Sequence, residues 1–217
     1  MNRVNATVFV VDDDPGVRKS VQMVMESAGL WTELYGSAEE FLEAQTGGEC
    51  GCLLLDLRLP GMGGLELLAA LKSQRRAMPV IVITGYGDIP AAVQSMRLGA
   101  ADFLEKPIDH HALVEKVKAA IAASMAKGRM QMEIEDAHGR LRMLTDRERE
   151  LLVALMVGKS SKQMAAEMGI SMRTVENHRS RMLAKTGAEN TADLVRMGML
   201  AGLAWAGGTM GPAMPLA

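Results

Sequence analysis

Asp56 closes the apolar run Leu53-Leu54-Leu55 and is followed by Leu57-Arg58-Leu59-Pro60-Gly61, so a strand delivers one carboxylate to its C-terminal end and then breaks. Other strand ends supply partners in matching order. Asp12 and Asp13 close Thr7-Val8-Phe9-Val10-Val11, Thr84 closes Val80-Ile81-Val82-Ile83, and Lys106 ends a fifth strand. Three carboxylates gathered from two strand ends repel one another unless a hard cation sits among them. Mg²⁺ prefers oxygen ligands and retains water and substrate oxygens, so the expected cofactor is Mg²⁺ and the expected substrate a phosphoryl group. In that setting Asp56 attacks phosphorus as a carboxylate nucleophile and becomes an aspartyl phosphate. Mg²⁺ and Lys106 neutralise the phosphoryl oxygens, and Thr84 hydrogen-bonds one of them.

These groups need a scaffold that collects strand ends. Residues 7–125 alternate strand and helix. The β-branched runs at 7–11 and 80–83 are apolar throughout, as strands covered on both faces are. Between them lie residues at helical spacing: Val17, Val21, Val24 and Met25, then Leu65, Leu68, Ala69 and Leu71. Ser37 before Ala38-Glu39-Glu40 reads as a helix cap, and Pro90 as a first-turn proline. Five such units predict an α/β doubly wound, five-stranded parallel sheet whose ligand site lies beyond the strands' carboxyl ends.

Composition sets the wider frame. The 217 residues are 48% hydrophobic and 23% charged, enough for two small domains. Residues 1–125 carry 11 Lys+Arg against 16 Asp+Glu, a net of −5, whereas residues 126–217 carry 13 against 10, a net of +3. An acidic domain joined to one suited to a polyanion is expected. The boundaries predicted are 1–125, a helical linker over 126–140, a helical domain over 141–203, and a Gly-rich disordered tail over 204–217. No run of eighteen apolar residues and no signal-peptide core are visible, so no membrane association and a cytoplasmic location are expected. Cys50 and Cys52 read as small hydrophobes rather than a disulfide or zinc site. The 19 Met read as core filler beside three Phe, two Tyr and two Trp.

Residues 144–203 predict a helix over 146–157, a short helix over 161–168, a turn at Gly169-Ile170-Ser171, a longer helix over 172–185 and a last helix over 191–200. A short helix, a tight Gly turn and a second helix form a helix-turn-helix. Ser171 caps the third helix and Gly187 stops it. Val175, His178, Met182 and Thr186 should face the core, leaving Arg173, Glu176, Asn177, Ser180, Arg181 and Ala184 outward. Such a face mixes phosphate contacts with groups able to read base edges, though a merely solvated face has similar composition.

On Asp12-Asp13, Asp56 with Pro60-Gly61, Thr84-Gly85 and Lys106-Pro107, residues 5–125 resemble a response-regulator receiver domain, which has a flavodoxin-like fold. The resemblance implies metal binding by Asp13, Asp56 and the main-chain carbonyl of Arg58, with Asp12 acting mainly through water. It also implies a cis Lys106-Pro107 bond and a switch pair of Thr84 and Phe103 that remodels the fourth helix and fifth strand. Arg58 and Tyr86 are expected to flank the pocket mouth and set the phosphoryl lifetime. His110 and His111 are expected in a first helical turn without a functional role.

Leu144-Thr145-Asp146-Arg147-Glu148-Arg149-Glu150 and Thr174-Val175-Glu176-Asn177-His178-Arg179 resemble the LuxR-type helix-turn-helix. The pair of domains resembles two-component response regulators of the NarL/FixJ class, and Ile83-Thr84-Gly85-Tyr86-Gly87-Asp88-Ile89-Pro90 the FixJ branch. Departures are Ser161 for Asn, Gln163 for Glu, and Thr186 where Leu usually packs. By this resemblance Glu176, Asn177 and Ser180 read bases, while Lys162, Arg173, Thr174, Arg181 and Lys185 hold phosphates. The implied partners are a sensor histidine kinase, double-stranded DNA, a second copy on phosphorylation, and RNA polymerase. The implied role is transcription regulation, chiefly activation, with no enzymatic activity beyond self-phosphorylation and its reversal. A phosphohydrolase of the haloacid dehalogenase type would need Asp-x-Asp, and here the sequence is Asp56-Leu57-Arg58. A regulator whose output domain meets only a protein is the other alternative.

Overall fold

Val8 and Val10 project from one face of the first strand and Phe9 and Val11 from the other, and all four are buried, which requires helices on both sides of the sheet. The computed structural model describes residues 6–44, 51–74, 78–85 and 89–203, and the chain divides into two units, Met1–Lys127 and Gly128–Ala217. In the first unit, β1 (Thr7–Val11), α1 (Pro15–Ser27), β2 (Trp31–Tyr35), α2 (Ala38–Ala44), β3 (Gly51–Asp56), α3 (Gly64–Ser73), β4 (Val80–Thr84), α4 (Ile89–Leu98) and β5 (Asp102–Glu105) alternate. Helix α5 (His110–Leu141) follows. The strands are parallel in the order β2-β1-β3-β4-β5, the doubly wound architecture expected.

Strand alternation divides the core. Val8, Val10, Cys52, Leu54, Ile81 and Ile83 pack on Val21 and Met25 of α1 and on Leu113, Val117 and Ile121 of α5. Phe9, Val11, Leu53, Leu55 and Val82 pack on Phe41 of α2 and on Leu67, Leu68 and Leu71 of α3. In α3, Ala69 faces solvent and Leu67 is buried in its place. A Cβ on Gly64 would meet the Asp56 carbonyl oxygen at 2.3 Å. Backbone docking at that glycine sets the roll of α3, which apolar spacing alone does not report. Cys52 is buried and burial pushes its thiol up to about 12, so it acts as a small apolar side chain. Cys50, Tyr86 and the tail 204–217 lie outside the described residues.

In the second unit, α6 (Asp146–Met156), α7 (Ser161–Met168), α8 (Met172–Thr186) and α9 (Thr191–Leu200) follow the end of α5. Caps punctuate them. Thr145 and Glu148 form a capping box, as do Ser160 and Gln163; Ser171 caps α8 and Asn190 caps α9. Gly169 and Gly187 each end a helix at φ 66°, a left-handed conformation that glycine adopts without a Cβ clash. Leu151, Leu152, Met164, Val175, Met182, Leu194 and Met197 form the core together with Ala137 and Leu141 of α5. Thr186, where a larger apolar residue was expected to pack, is buried with its hydroxyl satisfied. It donates to the Met182 carbonyl at 2.8 Å and accepts from the Ala188 N–H at 3.3 Å.

Candidate functional site

The order β2-β1-β3-β4-β5 places a crevice outside the carboxyl ends of β1 and β3, where the strand order reverses. Asp12, Asp13 and Asp56 meet there, each with a carboxylate oxygen within 4.8 Å of the others. Asp12 is fully buried, Asp56 is 5% exposed, and Asp13 opens to solvent. Lys106 is the shared counter-charge: its Nζ lies 2.9 Å from Asp12 Oδ2 and donates a short hydrogen bond to Asp56 Oδ2.

The supporting shell fixes each group. Asp12 Oδ1 accepts the Asp14 N–H at 2.8 Å, and the Asp12 carbonyl accepts the Arg18 guanidinium at 2.6 Å. Asp56 Oδ1 accepts the Arg58 N–H at 2.9 Å. The following loop turns at Gly61, φ 74°, and is pinned by Glu39 of α2, whose Oε1 accepts the Met62 N–H at 2.8 Å. Lys106 is tied to the end of β4 by its own N–H, 2.8 Å from the Thr84 carbonyl, and precedes a cis bond to Pro107. Neither role is signalled in the sequence: Glu39 is a surface-type charge whose partner is a main-chain amide of a distant loop, and Arg18 reaches back to a main-chain carbonyl in the loop before its own helix.

Burial pushes the Asp12 carboxyl above its ordinary range, and the hydrogen bonds from Lys106 and Asp14 only partly offset it. Burial alone would depress the Lys106 ammonium, but its bonds to Asp56 and Asp12 outweigh that and hold it raised. Three carboxylates against one ammonium leave the pocket electronegative. With all-oxygen donors and one carboxylate open to water, the residues fit a hard divalent cation such as Mg²⁺.

Thr84 is buried, and among the described residues its hydroxyl makes a long 3.4 Å bond to the Gly85 carbonyl. Phe103 pairs in register with Val82, so Thr84 and Phe103 emerge on the same face of neighbouring strands. Phe103 is 43% exposed and lines a shallow apolar cleft of about 400 Å³ with Ile89, Ala92, Val93 and Met96. His110 and His111 are exposed in the first turn of α5.

A second candidate site is the outer face of α8. Arg173, Glu176, Asn177, Ser180, Arg181 and Ala184 are exposed there, while Val175, Met182 and Thr186 are buried and His178 is half-buried. Lys162 is exposed on α7. Thr174 Oγ1 lies 2.8 Å from the hydroxyl of the cap Ser171. Lys185 and Glu176, also of the expected set, are likewise engaged inside the protein. Lys185 Nζ is 2.7 Å from Glu148 Oε2, an acid only 2% exposed, and Glu176 bonds Ser161 and Arg179. Burial would raise the Glu148 carboxyl, but the bonds from Lys185 and Thr145 outweigh it and hold it low. The capping box was visible in the sequence; the reach from Glu148 to Lys185 was not.

Residues 8–118 match the response regulator receiver domain family, and residues 142–198 match the bacterial regulatory proteins of the luxR family. The chain is 44% identical over 197 residues to the transcriptional regulatory protein FixJ of Azorhizobium caulinodans, spanning 91% of this chain and 93% of that protein. It is 42% identical to the C4-dicarboxylate transport transcriptional regulatory protein DctR of Rhodobacter capsulatus, over 88% of this chain and 98% of that one. Among solved structures, the response regulator StyR superposes with a TM-score of 0.76 at 35% identity, covering 90% of this chain and 99% of StyR. Full-length FixJ from B. japonicum gives 0.60 at 38% identity, with coverages of 91% and 97%.

Proposed function

Because the chain belongs to the response regulators that join a receiver domain to a LuxR-type DNA-binding domain, we propose that Asp56 takes a phosphoryl group from the phosphohistidine of a sensor kinase and thereby controls promoter binding. The observation that carries this reading is the meeting of Asp12, Asp13 and Asp56 around Lys106 at the sheet's carboxyl edge.

The reaction follows from the placement of these groups. An Asp56 carboxylate oxygen forms the new P–O bond while the P–N bond to the donor imidazole breaks, its electron pair leaving with the ring. Asp12, Asp13, Asp56 and the Arg58 carbonyl would hold Mg²⁺, which supplies charge neutralisation for the phosphoryl oxygens. Lys106 stays beside the acceptor and pairs with one of those oxygens. Thr84 exchanges its weak bond to Gly85 for a phosphoryl oxygen, which frees space for Phe103 to turn inward and reshapes the α4–β5 cleft. That face then pairs with a second copy, a population shift between two receiver conformations rather than a new fold. All of this chemistry acts on the protein's own Asp56.

On the output unit, Asn177 and Ser180 reach base edges while Arg173, Arg181 and Lys162 hold phosphates. A two-fold promoter site, an activating role and contact with RNA polymerase complete the proposal. Reading chromosomal DNA places the protein in the cytoplasm. The receiver is assigned to 1–125, a helical connection to 126–140 and the DNA-binding domain to 141–203.

The test is the solution mass of wild type and Asp56→Asn with Mg²⁺, before and after a small acyl phosphate. Gain of one phosphoryl group and conversion to a dimer in wild type alone is expected. Phosphorylation of Asp56→Asn to the same extent would remove Asp56 as the acceptor. Equal oligomeric state in all four samples would remove dimerisation from the mechanism.

A further inference from the structure

Glu176 sits on the exposed face of α8, where a carboxylate is able to accept from the amino group of cytosine. Its Oε1, however, already has two partners inside the protein. It accepts the Ser161 hydroxyl at 2.7 Å and the Arg179 guanidinium at 3.1 Å. Arg179 also donates to Ser161 Oγ at 3.4 Å and to Thr191 Oγ1 at 2.8 Å. Ser161 opens α7, Glu176 and Arg179 lie one turn apart on α8, and Thr191 opens α9. Four side chains thus join three helices at one point.

The neighbouring groups behave differently. No intramolecular hydrogen bond or ion pair engages the side chains of Asn177, Ser180, Arg173 or Arg181 among the described residues, and all four are exposed. They are free to meet a ligand without breaking anything. Charge points the same way. An unpaired carboxylate on a face that approaches a polyanion is repelled, whereas pairing with Arg179 cancels that charge and leaves Arg173 and Arg181 to set the sign of the face. A serine at 161 suits the junction because its one hydroxyl donates to Glu176 while its lone pairs face Arg179.

We propose that Glu176 is a positioning residue, bracing α7, α8 and α9 through Ser161, Arg179 and Thr191, and that base recognition on α8 belongs to Asn177 and Ser180. This rests on the assignment of α8 as the DNA-reading helix. A brace that holds the angle of the recognition helix acts on every DNA sequence alike, whereas a base contact acts on one position.

Selection from a randomised duplex library with the full-length phosphorylated protein separates the two. The brace predicts that Glu176→Ala keeps the wild-type preference at every base pair while binding selected and random duplexes both about 2- to 5-fold more weakly, the range for a partly exposed ion pair. Ser161→Ala should reproduce that loss, and the double variant should be no weaker than either single one. Glu176→Gln, which keeps an acceptor for Ser161, should recover most of the affinity, and Asn177→Ala should lose one preference. The proposal is overturned if Glu176→Ala loses discrimination at a single base pair that Ser161→Ala retains, if the losses add, or if both alanine variants bind as wild type. A wild-type protein without any base preference would overturn the base-reading face as a whole, the assignment of Asn177 and Ser180 included.

Discussion

The acidic pocket at the sheet's carboxyl edge and the outer face of α8 are both polar, yet they are built in opposite ways. In the pocket Asp12 and Asp56 are buried, and Lys106, the Asp14 and Arg58 amides and the packed strand ends fix their oxygens before any substrate arrives. On α8 the charged side chains of Arg173 and Arg181 stand in solvent, held only by the helix beneath them. Buried charge has to be organised by the fold, because desolvation is costly without partners. Exposed charge can wait for its ligand. The pocket should therefore respond to single substitutions in an all-or-none way, and the DNA face by graded amounts.

The sharpest way to break the contrast is Asp56→Asn. We expect complete loss of phosphoryl uptake, read by intact mass, with DNA affinity of the unmodified protein unchanged. A graded residual uptake on another carboxylate would mean that the pocket is less specialised than its burial implies.

The next effect lies beneath the DNA face. Glu148 is buried and paired with Lys185, and its folded-state pKa lies below the ordinary 4.5. Its contribution is therefore full above about pH 4.5 and is lost as pH falls through the lower folded value. Glu148→Gln should cost about 1–3 kcal/mol at neutral pH and flatten that acid-range loss, measured as the pH dependence of the thermal midpoint. An unchanged slope would assign the acid sensitivity to other carboxylates.

On the face itself the effects should be graded and of two kinds. Asn177→Ala should relax choice at one base pair by about 1–3 kcal/mol. Arg181→Ala should weaken binding to all sequences and shallow the salt dependence by roughly one unit of slope. Titrations of selected and random duplexes at several salt concentrations measure both. Equal loss on both kinds of DNA in both variants would contradict the division of labour.

The smallest effect expected is at the pocket mouth. A Cβ on Gly85 would stand 3.9 Å from Arg58 Cζ, which places the guanidinium beside the residue that follows Thr84. Arg58→Ala should shorten the lifetime of the aspartyl phosphate a few-fold, followed by the decay of modified mass, with uptake intact. An unchanged lifetime would remove the shielding role.

Much of this was legible in the chain itself. The apolar runs ending at Asp12, Asp56 and Thr84 marked β1, β3 and β4, since a strand covered on both faces is apolar throughout, whereas β5, Asp102-Phe103-Leu104-Glu105, is an edge strand with charged ends and gives no such run. Ser171 and Gly187 marked the bounds of α8 to within a residue, since caps are local chemistry. The roll of α3 was misjudged at Ala69 because the constraint comes from Gly64 pressed on the Asp56 backbone. Glu39 and Arg18 carry no sequence signal for their roles because their partners are peptide groups, for Glu39 on a distant loop and for Arg18 in the turn before its own helix.

The sequence by itself determined which residues lie at strand ends, which helix faces are apolar and where helices start and stop, because periodicity and capping act over a few residues. Only the tertiary structure decided which charges are taken up inside the protein. Glu148 with Lys185, Glu176 with Ser161, and Glu39 with the Met62 amide are pairings between elements. Such pairings depend on how closely two elements approach, and packing of the cores between them sets that distance.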